Sequence, residues 1–442
     1  MGEIGVKRMR VVPAGPLKGE LTVPGDKSIT HRAIILGSLA DGITEISGAL
    51  RSDDCRRTAK VLATMGAGVE ELGDDQLRIR GCGLHGLKEP EEVLDVGNSG
   101  TTIRLLAGVL AAQPFFSVLT GDQYLRKRPM ARVAAPLRSM GAVILGRAGG
   151  NLPPLAIQGA RLKAIDYVSP IASAQIKSAI LLAGLFAEGE TTVTEPSLSR
   201  DHTERMFEAV GVPIRRSGLS VRVQGVMKIP AFHVHVPGDF SAAAFFLVAT
   251  LIIPGSELML RGVGINPTRT GLLDALTSMG ATIELSQRRV MSGEPVADLF
   301  VRSQALHGTE VGGTLIPRML DEIPAFAVAA AVAKGATIIR DAAELRVKEV
   351  DRLAALAKEL RRFWTEVEER PDGLLLRGSA PLSGCDCDSW GDHRMAMALA
   401  VAGLAARGRT SISDPPCVSS SFPDFWARLE AILPGATASS ED

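Results

Sequence analysis

Pro24-Gly25-Asp26-Lys27-Ser28-Ile29-Thr30-His31-Arg32 places a turn, a capping aspartate, small residues and the start of an apolar run within nine residues. An aspartate at a helix entry accepts hydrogen bonds from the free N–H groups of the first turn, so the stretch reads as a helix start. The same pattern returns at Gly97-Asn98-Ser99-Gly100, Ala172-Ser173-Ala174-Gln175, Gly238-Asp239-Phe240-Ser241, Leu320-Asp321-Glu322-Ile323 and Gly391-Asp392-His393-Arg394. The capping positions fall at 26, 98, 173, 239, 321 and 392, at spacings of 66 to 82 residues. A fixed period of this kind is the signature of a repeated folding unit. Glycine follows sixteen residues after the cap at Gly42, Gly189, Gly255 and Gly408, and fourteen after it at Gly335, where it reads as the left-handed helix stop. A β-rich stretch comes next (43–46, 191–194, 258–260, 337–339, 410–412). A second amphipathic helix then ends at Met65-Gly66-Ala67, Met140-Gly141-Ala142, Val210-Gly211-Val212, Met279-Gly280-Ala281 or Pro434-Gly435-Ala436. The fifth unit is worn at Phe363-Trp364.

Six α/β units divide as three plus three. A break near Val236-Pro237-Gly238 predicts one domain over 21–237 and a second built from 1–20 and 238–442. The strand near Leu21-Thr22-Val23-Pro24 is expected to run into the first unit, and the N-terminal arm to pair with the second domain. A cleft is expected between the two.

The 442 residues are 46% hydrophobic and 22% charged, an ordinary globular composition. Lys plus Arg and Asp plus Glu are each 49, which argues against a general nucleic-acid or membrane-surface binder. Aromatics at 4% leave little for a base-stacking platform. The longest apolar runs, such as 242–254 and 324–333, fall short of the ~18 residues of a membrane span, and the start of the chain has no secretory h-region. Five cysteines, Cys55, Cys82, Cys385, Cys387 and Cys417, make no disulfide framework. The expectation is a reduced, cytoplasmic monomer without cofactor or metal.

Any anion site must then come from local clustering. Helix N-termini present unpaired N–H groups and about half a positive charge, and they bind phosphate or carboxylate directly. Basic residues stand at the same junctions: Lys27, Arg32, Arg128, Lys348, Arg352 and Arg394. Lys348 and Arg352, four apart, are expected on one helical face. Asp26, Asp239 and Asp392 read as caps. Asp321 reads equally as a cap or as a base for a bound hydroxyl, and Glu349 as a second acid or base.

These segments, together with Gly97–Arg104, Arg126-Lys127-Arg128-Pro129-Met130, Ser173–Ser178, Arg346–Arg352 and Asp392–Met397, resemble the motifs of the 5-enolpyruvylshikimate-3-phosphate synthase family of enolpyruvyl transferases. The resemblance runs in order along essentially the whole chain. It implies an α/β, two-domain, inverse α/β barrel-like fold, each domain made of three βαβαββ units. It implies transfer of the enolpyruvyl group of phosphoenolpyruvate to the 5-hydroxyl of shikimate 3-phosphate, with release of phosphate, on the shikimate pathway to aromatic amino acids. Carried over residue by residue, Lys27, Ser28, Arg32, Ser173, Ala174, Gln175, Ser199, Arg200, Asp321 and Lys348 hold shikimate 3-phosphate. Lys27, Gly100, Arg128, Gln175, Arg352 and Arg394 hold phosphoenolpyruvate. Asp321, Glu349 and Lys27 are the catalytic groups. Gly100 beside phosphoenolpyruvate implies inhibition by glyphosate. Two positions depart from some members of the family: Ser420 stands where they have lysine, and Glu344 where they have asparagine.

Three other readings are weighed against this one. The sister UDP-N-acetylglucosamine enolpyruvyl transferase usually carries a reactive cysteine in the segment matching 122–129, and no cysteine lies there. A zinc or redox module could use Cys385-Asp386-Cys387-Asp388 with His393, but a lone C-x-C pair is a weak signal. A non-catalytic sugar-phosphate binder would not need Glu349.

Overall fold

The computed structural model describes residues 7–378 and 381–441. It divides into two compact units, one of residues 25–237 with 290–294, the other of residues up to 24, 238–289 and 295–442. Met1–Val6 of the N-terminal arm lie outside the described residues.

Each unit is three repetitions of one plan, a four-stranded sheet with two helices. In the first unit the sheets run, in spatial order, His233–His235, Asp41–Ser47, Leu77–Cys82, Gly68–Glu71; Leu94–Asp95, Phe116–Thr120, Leu152–Gln158, Val143–Gly146; and Asp166–Val168, Glu190–Thr194, Ser220–Gln224, Ile214–Ser217. In the second they run Lys18–Thr22, Glu257–Gly264, Glu294–Arg302, Ile283–Met291; Glu310–Val311, Gly335–Ile339, Gly373–Gly378, Glu366–Arg370; and Asp386–Cys387, Thr410–Ser413, Lys7–Val11, Thr437–Glu441. The first two strands of every sheet are parallel, and the pairs with the third strand are antiparallel. A parallel pair needs a crossover, and in four of the six modules the first helix supplies it directly.

The other two modules are closed by exchanged strands. His233–His235 lies parallel to Glu45–Ser47 and completes the first sheet, whereas Lys18–Thr22 lies parallel to Glu257–Arg261 and belongs to the fourth. The strand expected to lead into the first unit therefore serves another module. Strand partners are set by long-range pairing, and chain adjacency through Val23-Pro24 was a poor guide to it. Lys7–Val11 pairs with Thr410–Ser413 on one side and Thr437–Glu441 on the other.

The first helix of each module is buried nearly all round. Phe240–Ile252 leaves only its last residue partly exposed, and Ile323–Val332 is as apolar. A helix hydrophobic on every side belongs in a core. Each unit has its own core around its three such helices. Their packing is close: a Cβ on Gly108 would lie 2.2 Å from the Ala179 carbonyl oxygen of the neighbouring helix, so only glycine fits there. The second helices are amphipathic. Asp53–Thr64 buries 54, 55, 58, 61 and 62 and leaves the rest partly or fully exposed.

The glycines that follow the first helices have positive φ, but they do not end those helices. Gly42, Gly255, Gly335 and Gly408 lie three residues past the last helical residue, and Gly189 five past it, at or beside the start of the next strand. The left-handed stop belongs to the second helices. Gly66, Gly141, Gly211, Gly280 and Gly435 have φ of 107°, 120°, 79°, 94° and 82°. In the fifth module Trp364 occupies this place at φ 66°, with Trp364 N–H donating to Arg361 O and Thr365 N–H to Leu360 O, as Gly66 and Ala67 do to Ala63 O and Leu62 O. The worn repeat keeps its turn and carries a bulky residue in it.

Candidate active site

The helix starts were expected to carry side-chain caps, and four do so at the expected residues. Asp26 accepts from Ile29 N–H (2.9 Å), Ser173 from Ile176 N–H, Asp239 from Ser241 N–H (2.7 Å) and Asp392 from Arg394 N–H (2.8 Å). The second cap is Ser99, not Asn98; it accepts from Thr102 N–H at 3.2 Å. The fifth helix start has no side-chain cap. Asp321 lies one residue before the Glu322 cap position, and Pro324, which has no N–H to satisfy, stands in the first turn. Asp321 therefore has a different occupation.

In the first unit the candidate residues gather on the helix starts at Lys27, Gly100 and Ala174. Lys27 forms an ion pair with Asp54. Arg32 is buried and spread over three partners: Nε to Thr203 Oγ1 (2.6 Å), Nη2 to Ser178 Oγ (2.6 Å) and Nη1 to Ser28 O (2.9 Å). Burial, together with the Arg200 charge, lowers its pKa to about 10 against the pull of Glu204 and Asp26, so it remains a cation at neutral pH. A Cβ on Gly100 would meet Arg128 Nη1 at 2.6 Å and Arg104 Nη1 at 2.8 Å, so two guanidinium groups crowd this helix start. Ser199 Oγ is buried with no hydrogen-bond partner among the described residues.

Several supporting residues escaped the sequence reading. Arg104 reaches Gln175 Oε1 (2.8 Å), Gly100 O (3.2 Å) and Pro129 O (3.1 Å), while Gln175 Nε2 donates to Thr101 Oγ1 (3.0 Å). It thus ties Gln175 and the Arg128 loop to one helix. Lys177, Glu195 and Glu204 form a triad with side chains 2%, 2% and 1% exposed. Lys177 Nζ lies 2.8 Å from Glu195 Oε2 and 2.7 Å from Glu204 Oε1. Burial pulls the lysine pKa down, and the two carboxylates outweigh it and raise the value. Glu195 also accepts from Ser173 N–H (3.0 Å) and Ser199 N–H (3.4 Å), so this charge cluster fixes both serines. A lone lysine inside the apolar run Ile176–Gly184 was the available signal, because such a charge has to find buried partners. His31, its pKa held well down by burial and by Lys27 and Arg32, bonds Thr58 (2.7 Å), which bonds Thr102 (2.7 Å). That chain links three helices.

In the second unit the candidates converge on Arg352, whose side chain is 1% exposed. Its Nε lies 2.7 Å from Asp392 Oδ2, Nη1 3.3 Å from Asp321 Oδ1, and Nη2 2.5 Å from Glu349 Oε2. Burial lowers its pKa, but the three carboxylates dominate and the net shift is upward. Arg394 reaches Asp321 twice, through its carboxylate (3.4 Å) and its backbone carbonyl (3.3 Å). Asp321 is thus gripped by two guanidinium groups, and Asp392 is both cap and counter-ion. Asp239 has a second role too, pairing with buried Arg269 at 2.7 Å.

Lys348 and Arg352 do not share a helical face. Lys348 is extended (φ −80°, ψ −154°) at the exit of the short turn Ala343–Val347, and the helix begins only at Arg352 behind its Asp351 cap. Arg346 anchors that exit through Asp351 (2.8 Å) and Glu369 (2.9 Å). Burial lowers the Lys348 pKa to about 8, moderated by Asp321, Glu344 and Glu349. Ser420, where a lysine was noted in some relatives, donates to Cys417 O (3.0 Å).

Comparison with known proteins joins this geometry to a family. The model of the EPSP synthase family, 3-phosphoshikimate 1-carboxyvinyltransferase, matches residues 11–429. The chain belongs to the EPSP synthase family. It is 54% identical over 421 residues to the 3-phosphoshikimate 1-carboxyvinyltransferase of Desulforamulus reducens, covering 95% of this chain and 98% of that one. It is 56% identical over 420 residues to that of Geobacter sulfurreducens, with the same coverage. The solved EPSP synthase of Acinetobacter baumannii superposes with a TM-score of 0.87 at 42% identity, over 98% of this chain and 100% of that one. The mixed α/β architecture is therefore that of EPSP synthases. Among the described residues no group of three or more His, Cys, Asp or Glu is arranged to hold a metal ion, and no helix is long and apolar enough to cross a membrane.

Proposed function

We propose that the chain performs the EPSP synthase reaction with the following division of labour. Phosphoenolpyruvate gives its enolpyruvyl group to the 5-hydroxyl of shikimate 3-phosphate, forming 5-enolpyruvylshikimate 3-phosphate and inorganic phosphate. The observation that carries the reaction is the family match across 11–429.

Lys27, Ser28, Arg32, Ser173, Ala174, Gln175, Ser199 and Arg200 hold the shikimate phosphate and ring. The unpartnered Ser199 Oγ and the N–H groups of the Ala174 helix start support this. Asp321 and Lys348 take the shikimate hydroxyls. Gly100, Arg128, Gln175, Arg352 and Arg394, with Lys27, clamp phosphoenolpyruvate, where planar guanidinium forks suit carboxylate and phosphate.

Asp321 removes the proton from the 5-hydroxyl as its oxygen adds to C2. Glu349, assisted by Lys27, delivers a proton to C3 and later takes one back. The tetrahedral adduct then expels phosphate. Fixed donors aimed at developing charge stabilise these states without reorganising, and orientation of two reactants can supply roughly 7–11 kcal/mol of the barrier. We place the enzyme as a cytoplasmic monomer without cofactor, and its domains as the two units described above.

Phosphate release on mixing the protein with phosphoenolpyruvate tests the reaction. Release that depends on shikimate 3-phosphate, with the enolpyruvyl product seen by mass, is expected. Release without the acceptor, or none with it, would refute the reading.

A further inference from the structure

The Cys385-Asp386-Cys387 segment has no part in the chemistry above, yet its geometry is specific. Asp386–Cys387 is a strand parallel to Ser411–Ile412, so positions 385 and 387 face the same way. Their Sγ atoms lie 3.4 Å apart. Cys387 is 2% exposed, and Cys385 is only half-buried and so within reach of solvent. Beside them Arg362 Nη1 donates to Asp386 O (2.7 Å), and the buried Glu359 carboxylate accepts from Asp388 N–H (3.2 Å) and Trp390 Nε1 (3.1 Å). The two thiols differ. The hydrogen bond from Cys387 lowers the Cys385 pKa, while making that bond and burial raise Cys387. Such a pair has one nucleophile and one resolving thiol.

The segment leads directly into the Arg352 cluster. Asp388 Oδ1 accepts from Trp390 N–H (2.8 Å) and Ser413 Oγ (2.8 Å). Ser389 O accepts from Asp392 N–H (2.9 Å), and Asp392 Oδ2 holds Arg352 Nε at 2.7 Å. Joining the two sulfurs at bonding distance, ~2.05 Å, requires this turn to shift.

We propose that Cys385 and Cys387 form a reversible disulfide on exposure to peroxide, and that its closure disturbs the turn holding Asp392 and lowers turnover. The Cys385 thiolate attacks one peroxide oxygen, the O–O bond breaks, and hydroxide leaves a sulfenic acid. The hydroxide takes the Cys387 proton and becomes water. The Cys387 sulfur then attacks the sulfenic sulfur; its hydroxide leaves and is protonated by solvent to a second water. The two sulfurs give two electrons to the peroxide. A ring this small is strained, and strained disulfides are readily reduced.

The test treats the full chain with hydrogen peroxide and follows peptide masses and phosphate release together. The expected result is loss of two hydrogens on the peptide holding both cysteines and a severalfold fall in turnover, each reversed by dithiothreitol. Cys385→Ser and Cys387→Ser should start at full activity and resist peroxide. No disulfide on that peptide, a disulfide to another cysteine, or a disulfide with unchanged turnover would overturn the proposal. Only the activity arm rests on the proposed function. A protein inactive before oxidation would count against that function, and the mass readout would still decide the disulfide.

Discussion

The two units hold the cations near their helix starts differently. In the first, Arg32 bonds Thr203, Ser178 and Ser28 O, and Arg104 bonds Gln175, Gly100 O and Pro129 O, while Lys27 pairs with Asp54 and Lys177 with Glu195 and Glu204. In the second, one guanidinium is ringed by Asp392, Asp321 and Glu349. There three carboxylates share one buried cation, where the proposed function puts both a clamp for phosphoenolpyruvate and two acid–base groups. The proposed division of labour gives each unit binding and acid–base groups alike, Lys27 and Arg128 in the first and Arg352, Arg394, Asp321 and Glu349 in the second.

The largest expected effect concerns the buried Lys177 triad of the first unit. Lys177→Met leaves Glu195 and Glu204 buried without their cation, and urea unfolding should show a loss of about 3–5 kcal/mol. A loss under ~1 kcal/mol would mean that the triad does not hold Ser173 and Ser199 as described.

Gly100→Ala perturbs the helix start beside Arg128 and Arg104. The methyl meets Arg128 and Arg104, and overpacking of about 1–3 kcal/mol corresponds to a rise in KM for phosphoenolpyruvate of roughly 5- to 150-fold. Glyphosate inhibition should weaken in parallel, with KM for shikimate 3-phosphate nearly unchanged. An equal rise in both KM values would contradict the assignment.

The proposed contact of Lys348 with the shikimate hydroxyls predicts a pH limb. Lys348 is a cation below its pKa of about 8 and neutral above it, so kcat/KM for shikimate 3-phosphate should fall as pH rises through 8. Lys348→Arg should move that limb upward. Because the folded value lies below the ordinary 10.5, the unfolded chain binds the extra proton between the two values, and the group's contribution to stability rises with pH across that window. An unchanged limb in Lys348→Arg would assign it to another residue.

The smallest effect concerns the fifth module. Trp364 is 77% exposed and sits at φ 66°, where L-residues are strained. Trp364→Gly should stabilise by up to about 1 kcal/mol, seen as a small rise in Tm. A fall in Tm would show that the indole packs to more effect than its exposure indicates.

Much of this was legible in the sequence because its signals are local. A cap, a run of small residues and an apolar helix fall within one short window, so six modules were visible at 26, 98, 173, 239, 321 and 392. Local signals also misled. Leu320-Asp321-Glu322 looks like its sister caps, yet Pro324 removes an N–H from the first turn and Asp321 turns to Arg352 and Arg394. Lys348 and Arg352 have helical spacing but are separated by the Asp351 cap. The exchange of Lys18–Thr22 and His233–His235 was hidden, since strand pairing depends on partners far along the chain. The Lys177 triad was hidden because its three charges come from separate segments.

Asp321→Asn tests the proposed transfer of the 5-hydroxyl proton to the acidic cluster. The amide keeps the shape at Arg352 and Arg394 but cannot take a proton from the 5-hydroxyl. Steady-state phosphate release with both substrates saturating should fall at least ~100-fold, a larger change than in the Kd for shikimate 3-phosphate, because the amide still hydrogen-bonds a hydroxyl. Turnover near that of the unaltered protein would remove Asp321 from the chemistry and contradict the account.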